Sequence, residues 1–141
     1  MIVGVVGSRR RNTAKDKAML IIKLGHLELT TGRLIKKIVT GDCDEGGDKF
    51  AKDIVDIFGY QLDVKRIKAP ETGEEMDFNA HKWFDYLTIC NIYYSRNEEI
   101  AKEPLDYLVA LVTPDRKGGT ENTIRHFRRL HKDWEEKLII I

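Results

Sequence analysis

The chain has 141 residues, 42% of them hydrophobic and 33% charged, which suits one soluble globular domain built around one core. The formal net charge is +1, so no overall field attracts nucleic acid or a lipid surface. No segment approaches the roughly 18 apolar residues of a membrane span, and the start of the chain lacks a signal-peptide pattern. Cys43 and Cys90 match neither a disulfide framework nor a metal motif, so we expect a cytoplasmic protein with reduced thiols.

The first half of the chain predicts three strands and two helices. Residues 2–6 (IVGVV) are apolar without alternation, which is typical of a buried parallel strand. Residues 14–29 predict a helix, 36–41 a second strand, 49–59 a second helix and 61–69 a third strand. The apolar residues at helical spacing are Met19, Ile22 and Leu27 in the first helix and Phe50, Ile54, Ile57 and Phe58 in the second. Gly59 follows the second helix as a C-terminal cap.

The second half predicts a polar loop at 70–78 and then two further helix and strand pairs. Residues 79–103 suggest a long helix with a potential break near Ser95, and with Trp83, Phe84 and Tyr86 in the core. Residues 107–112 predict a buried strand. Residues 121–136 predict an amphipathic helix with Ile124, Phe127 and Leu130 inward, and 137–141 predict a final strand.

The alternation of strands and helices predicts an α/β fold with a single parallel sheet. Right-handed crossovers place helices on both faces of such a sheet. Ligands then bind outside the carboxyl ends of the strands, where the strand order reverses. Candidate binding residues are therefore expected in the loops that follow the strands.

Three predicted strands end in loops that contain glycine and that lie at the same edge of a parallel sheet. They run from Gly7 through Ser8 to Arg9, from Gly41 to Asp48 and from Thr113 to Thr120. Glycine allows the backbone to approach a ligand closely, and the following helix N-termini attract anions. We predict a phosphate-binding crevice, and its candidate ligands in the last loop are Lys117, Gly118, Gly119 and Thr120.

Other interpretations of these loops remain open from the sequence alone. The loops could be ordinary turns, with Thr120 serving only as the N-cap of the next helix. Neither the P-loop pattern nor the dinucleotide pattern G-x-G-x-x-G occurs. Among the arginines after the first strand, Arg9 is the better phosphate ligand, whereas Arg10 and Arg11 are expected to face water.

The second loop is crowded with acidic residues, namely Asp42, Asp44, Glu45 and Asp48. Such a cluster repels bare phosphate, and a hydrated Mg²⁺ between carboxylates and phosphates would relieve the repulsion. The alternative is a solvated turn in which Asp48 caps the next helix. The acidic neighbours should raise the pKa of Cys43 and make it a poor nucleophile.

Four segments, in the right order, resemble the SLOG superfamily, which groups DprA/Smf proteins, LOG-type proteins and small nucleotide-sensing families. The opening IVGVVGSRR resembles the start of that superfamily, and VTGDCDEGGDKFA resembles its second glycine loop, with Gly41, Gly47, Asp48 and Ala51 at matching positions. The segment SRNEEIAKEPLDYLVALV matches at Arg96, Asn97 and Asp106. The segment KGGTENTI matches at Gly119 and Thr120. The chain is most similar to the small stand-alone SLOG proteins of unknown function.

The resemblance implies a Rossmann-like sheet of strand order 3-2-1-4-5 that binds a nucleotide or nucleotide derivative, with sensing among the implied functions. Arg96 would contact a phosphate or ribose, and its bidentate fork suits that role. The alternative is a surface arginine on a helix. Tyr93 and Tyr94, close to Arg96 in sequence, are candidates for a wall on which a base stacks.

Two other functions follow from the same comparison. LOG-type enzymes hydrolyse the N-glycosidic bond of nucleotides, so the chain could be a hydrolase of the glycosidic or the phosphoester bond of its ligand. Glu121 or Asp48 is the candidate acid or base, although Glu121 equally complements a helix N-terminus. The chain lacks the PGG prefix of the LOG loop. A single-stranded nucleic-acid-binding module is less favoured because the charge is balanced. The apolar end LIII predicts a sheet edge that needs cover, and hence a homo-oligomer.

Overall fold

A computed structural model describes residues 1–141 and contains one five-stranded, all-parallel sheet in the order β3-β2-β1-β4-β5. The strands are β1 Ile2–Gly7, β2 Lys37–Gly41, β3 Gln61–Lys65, β4 Tyr107–Leu111 and β5 Leu138–Ile140. The helices are α1 Ala14–Thr31, α2 Gly46–Phe58, α3 Tyr86–Lys102, α4 Gly119–Leu130 and α5 Trp134–Lys137, and a short 3₁₀ helix spans Phe78–Trp83. The α/β fold class and the strand order are therefore confirmed, and the fold is Rossmann-like.

The strand order reverses beside β1, which lies at the centre of the sheet. Val3 is in register with Ile38 of β2 on one side and with Tyr107 of β4 on the other. The chain leaves β1 for α1 on one face of the sheet and leaves β4 for α4 on the other, and a fold of this type has a crevice between two such connections. That crevice is where a fold of this type places a ligand.

Two apolar clusters cover the two faces of the sheet. On one face α1 and α2 pack on the strands through buried residues that include Leu20, Leu24, Phe50 and Ile54. On the other face α3 and α4 pack through residues that include Ile100, Ile124 and Phe127. The uninterrupted apolar strands follow from this arrangement, because their side chains are buried on both sides.

The ends of the helices mostly follow local sequence signals. Thr13 and Asp16 form a reciprocal capping box at the start of α1. Gly59 adopts a left-handed conformation after α2, with φ of 73°, and its N–H bonds to the Val55 carbonyl, as predicted. Asp85 caps α3 by accepting a hydrogen bond of 2.9 Å from the Thr88 backbone N–H.

The predicted long helix at 79–103 was wrong in its bounds and in its buried face. The break falls at Phe84 and Asp85, not near Ser95, because Asp85 starts a new helix. Trp83 and Tyr86 are 81% and 76% exposed, whereas the prediction placed them in the core. They precede or begin α3, where no other element of the chain packs over them.

Several other boundaries and faces differ from the predictions. Strand β3 stops at Lys65, and α4 stops at Leu130, with α5 as a separate turn. Leu20 and Leu24, not Met19 and Ile22, face the core from α1. The other predicted core residues that are substantially exposed are Ile57, Phe58 and Leu130. Apolar residues occur on more than one side of these helices, so spacing alone did not select the buried stripe.

Strand β5 is one edge of the sheet, as expected, and Ile140 in it is 40% exposed. None of the helices combines the length and the apolar character needed to cross a lipid bilayer.

Candidate functional site

The loops after β1 and β4 meet at the carboxyl edge of the sheet. The Ser8 backbone N–H donates to the Leu111 carbonyl at 3.0 Å. The Arg10 guanidinium binds the Asp115 carboxylate at 2.8 Å and the Thr113 hydroxyl at 3.1 Å. Two of the three predicted loops are thus held together directly, and Arg10 is used for that contact.

Arg11 was expected to face water, but the structure places it inside the loop junction. Its Nε donates to Asp16 at 2.6 Å, and its Nη1 donates to the carbonyls of Val112 and Ile141. The side chain is only 20% exposed. Arg9 is the one arginine of the three that is exposed and takes part in no ion pair.

The glycines of the first two loops make room for the protein's own backbone. A methyl group on Gly47 would lie 2.6 Å from the Gly7 nitrogen, so α2 begins in direct contact with the end of β1. A side chain at Gly41 would overlap Nη1 of Arg96 and a carboxylate oxygen of Asp48. These three glycines were predicted as ligand contacts, and in the structure their missing side chains allow contacts within the chain.

Arg96 lies in a buried ion-pair network beneath the second loop. Its Nη1 donates to Asp42 at 2.6 Å and lies 3.5 Å from Asp48, and its Nε donates to the Asn97 amide oxygen at 3.1 Å. Its side chain is 10% exposed, so Arg96 is not the surface arginine of the alternative interpretation. The arginine links α3 to the carboxyl end of β2.

Asp48 is buried inside this network and does not serve as the N-cap of α2. The N-cap is Glu45, and the Asp48 carboxylate accepts hydrogen bonds from the Cys43 backbone N–H at 3.3 Å and the Thr40 hydroxyl at 3.4 Å. Burial raises the pKa of Asp48, whereas the nearby Arg96 charge lowers it, and burial has the larger effect.

The acidic crowding of the second loop is relieved by cations of the chain itself. Asp42 and Asp48 share Arg96, and exposed Asp44 lies 3.5 Å from Lys52. No group of three or more histidine, cysteine or acidic side chains is arranged to hold a metal ion. Burial chiefly raises the pKa of Cys43, and the Asp48 charge raises it further, which agrees with the predicted poor nucleophile.

Helix α4 begins without a side-chain cap. Its N-cap is Gly118, at a φ of 106° that favours glycine, and no side chain bonds to the first N–H groups. The prediction of Thr120 as N-cap was wrong, because Thr120 lies within the first turn. The Gly119 carbonyl accepts a hydrogen bond of 3.2 Å from the Asn97 amide, which anchors the start of α4 on α3.

Glu121, the other candidate acid or base, is engaged in an ion pair. Its two carboxylate oxygens accept hydrogen bonds from the Arg116 guanidinium, and the Glu121 side chain is 17% exposed. Arg116 adopts a positive φ of 52°, which points to a loop shaped around this pair. Lys117, the next residue, is exposed and forms no ion pair.

Tyr93 lies on the face of α3 that carries Asn97, within range of the positive charge of Arg9. Burial raises the pKa of Tyr93 to about 12, while the positive charges of Arg9 and Arg96 act in the opposite direction. Tyr93 and Asn97 are four residues apart on one helix, so they lie on the same face about one turn of ~5.4 Å apart. This face of α3 is bonded to the start of α4 through Asn97, and its Tyr93 experiences the charge of Arg9.

An aromatic cluster stands beside this face. The ring of Phe78 lies 5.6 Å from that of Tyr93, and the Tyr93 hydroxyl bonds to His81 Nδ1 at 2.8 Å. Tyr94, predicted together with Tyr93, is 47% exposed. Sequence reasoning missed Phe78 and His81 because they lie in the short 3₁₀ helix, at the end of a loop that carries no motif.

The fold and the crevice define a small Rossmann-like α/β protein with an uncapped helix N-terminus at the reversal of strand order. Comparison with known proteins found no family model, no curated protein and no solved structure that matches the chain.

Proposed function

We propose that the protein binds a nucleotide or a nucleotide-derived ligand in the crevice between the loop after β1 and the start of α4. The observation that carries the proposal is the uncapped N-terminus of α4, fixed by Asn97 about one helical turn from Tyr93 on the same face of α3. The four segments that resemble the SLOG superfamily support the same interpretation, and we propose membership of that superfamily.

The phosphate of the ligand would bind at the start of α4. The first N–H groups there have no side-chain partner, and the helix dipole adds a partial positive charge. A side chain added at Gly118 would meet no atom within 4 Å, so space is open at this position. Lys117 and Arg9 supply two mobile positive charges that no carboxylate of the chain occupies.

The base of the ligand would lie against the aromatic cluster of Phe78, His81 and Tyr93. An aromatic face contributes about 1–3 kcal/mol per stacked base. Tyr93 is held by His81 and by the guanidinium of Arg96, which lies 5.8 Å from the ring centre. Arg96 thereby acts on the ligand through the position of Tyr93 and Asn97, and not as the direct phosphate clamp that the resemblance implied.

We propose binding without catalysis because both candidate acid–base groups are engaged in ion pairs. Glu121 is bound by Arg116, and Asp48 is buried against Arg96. A signalling or sensing role therefore suits the site better than hydrolysis. Replacement of Glu121 with Gln tests this: ligand turnover by the wild type that is lost in Glu121→Gln would restore the hydrolase hypothesis.

The binding proposal is tested by calorimetry and by amide chemical shifts with a panel of nucleoside mono- and diphosphates, each with and without Mg²⁺. We expect shifts at Ser8, Arg9 and Gly118 to Thr120. Arg9→Gln should weaken binding by roughly 10- to 150-fold, since a charge-assisted hydrogen bond contributes ~1.5–3 kcal/mol. Arg125→Gln is the matched control, because Arg125 is also exposed and outside every ion pair.

Two results would contradict the proposal. Chemical shifts confined to other parts of the chain would show that the ligand does not bind in the crevice. An equal loss of affinity in Arg9→Gln and Arg125→Gln would show that the effect comes from net charge and not from a contact of Arg9. A steep, salt-dependent retention on heparin or single-stranded DNA would instead favour the nucleic-acid hypothesis.

A further inference from the structure

A second cleft, with a volume of about 400 Å³, lies on the other side of α3 from the proposed nucleotide site. It is bordered by the segment 66–70, which follows β3, and by the face of α3 that carries Asn91, Ser95 and Arg96. None of the loop residues from Ser8 to Arg9 or from Lys117 to Thr120 lines it. Its volume suits a small molecule.

The guanidinium of Arg96, a side chain that is 10% exposed, borders this cleft and has one unused nitrogen. Nε and Nη1 donate to Asn97 and Asp42, whereas Nη2 makes no hydrogen bond within the chain. The only buried polar side-chain atom without a partner is Nε2 of His126, so Nη2 of Arg96 must be reached by solvent. Since Arg96 borders the cleft, Nη2 is a free, largely buried donor there.

Two further cations line the mouth of the cleft. Arg66 is half exposed, and its nearest carboxylate, Glu75, is 3.8 Å away and 61% exposed, so the pair is loose. Lys68 binds Glu99 at 2.6 Å and keeps donors for a second partner. Asn91 and Ser95 add neutral hydrogen-bonding groups from α3.

We propose that this cleft binds a phosphorylated small molecule, with the phosphate between Nη2 of Arg96 and the side chains of Arg66 and Lys68. A phosphate monoester has three acceptor oxygens and nearly two negative charges, which matches three cationic side chains that line one cleft from two segments of the chain. Asp42 and Asp48 at Nη1 and the Asn97 amide at Nε restrain the guanidinium plane, which leaves Nη2 as the nitrogen without a partner in the chain.

The ligand contacts of this cleft differ from those of the proposed nucleotide site, which uses Arg9 and the start of α4, although Arg96 also positions Tyr93 there. The test is an amide chemical-shift titration of the full chain at constant ionic strength, with inorganic phosphate and with glycerol 3-phosphate as probes. We expect saturable shifts at Asn91, Ser95 and Lys68, with tighter binding of glycerol 3-phosphate because its organic part fills more of the cleft.

The double variant Arg66→Gln/Lys68→Gln should bind these probes at least about tenfold more weakly. The control Lys49→Gln/Arg125→Gln removes the same charge from exposed positions outside every ion pair and should bind like the wild type. Equal weakening in both double variants would overturn the proposal.

The wild-type titration decides the matter even if a variant is unstable. Absence of shifts at Asn91 and Ser95 overturns the second site. Shifts confined to Gly118 to Thr120 would overturn the second site and support the nucleotide crevice. Shifts confined to the cleft would support the second site and show that the nucleotide crevice has no affinity for these phosphates.

Discussion

Replacement of Gly47 with alanine should destabilise the protein strongly, because α2 starts in contact with the backbone of β1. The new methyl group would lie 2.6 Å from the Gly7 nitrogen and 2.8 Å from the Val6 carbonyl carbon. Ordinary contacts between such atoms are ~3.5–4 Å, so α2 must move by about 1 Å. Neither clashing atom belongs to a side chain that could rotate away.

The expected cost lies at the upper end of the range for overpacking, about 3 kcal/mol, because the shift also loosens Phe50 and Ile54 in the core. Gly25→Ala is the matched control: Gly25 lies inside α1, where an added methyl meets no atom within 4 Å. Alanine there should stabilise the helix by up to ~1 kcal/mol.

Equilibrium unfolding in urea measures the free energy of unfolding of both variants. Gly47→Ala should be less stable and Gly25→Ala more stable than the wild type, with a difference of about 3–4 kcal/mol between the two variants. The wild type, at the usual ~5–15 kcal/mol, leaves enough stability for Gly47→Ala to fold. A Gly47→Ala protein as stable as the wild type would refute the inferred contact between α2 and β1.

Three further predictions concern protonation and assembly. Folding raises the pKa of Asp48 above its usual 3.8, so the folded state binds the proton more tightly than the unfolded state. The free energy of unfolding should therefore fall as pH rises from 3.8 through the raised pKa. Urea titrations at several pH values should show this fall in the wild type and a smaller one in Asp48→Asn. In an absorbance titration, Tyr93→Phe should remove a phenol that ionises near pH 12, and an unchanged curve would show that Tyr93 is not buried beside Arg96 as described. Because edge strand β5 exposes Ile140, light scattering should detect a homo-oligomer that Ile140→Lys disrupts, whereas a wild-type monomer at high concentration contradicts the expectation.

Local sequence determined the order of the elements and the sheet. Uninterrupted apolar runs such as residues 2–6 and 107–112 are removed from water only when both faces of the strand are buried, and their alternation with helices requires parallel pairing. Signals that involve only a few neighbouring residues, such as Gly59 as the C-terminal cap of α2, could also be predicted from the sequence. The loops that meet at the carboxyl edge followed from topology, and the structure joins Ser8 to the end of β4.

The tertiary structure alone decided what each polar residue does at that edge. Gly47 and Gly41 have the same sequence signature whether a ligand or the chain's own atoms fill the space beside them, and only the packing of α2 and Arg96 distinguishes the two cases. The partner of Arg96 is 54 residues away in sequence, at Asp42. Such pairings depend on which segments the fold brings within a few ångströms, because hydrogen bonds and desolvation act only at contact distance, and no spacing within one segment records them.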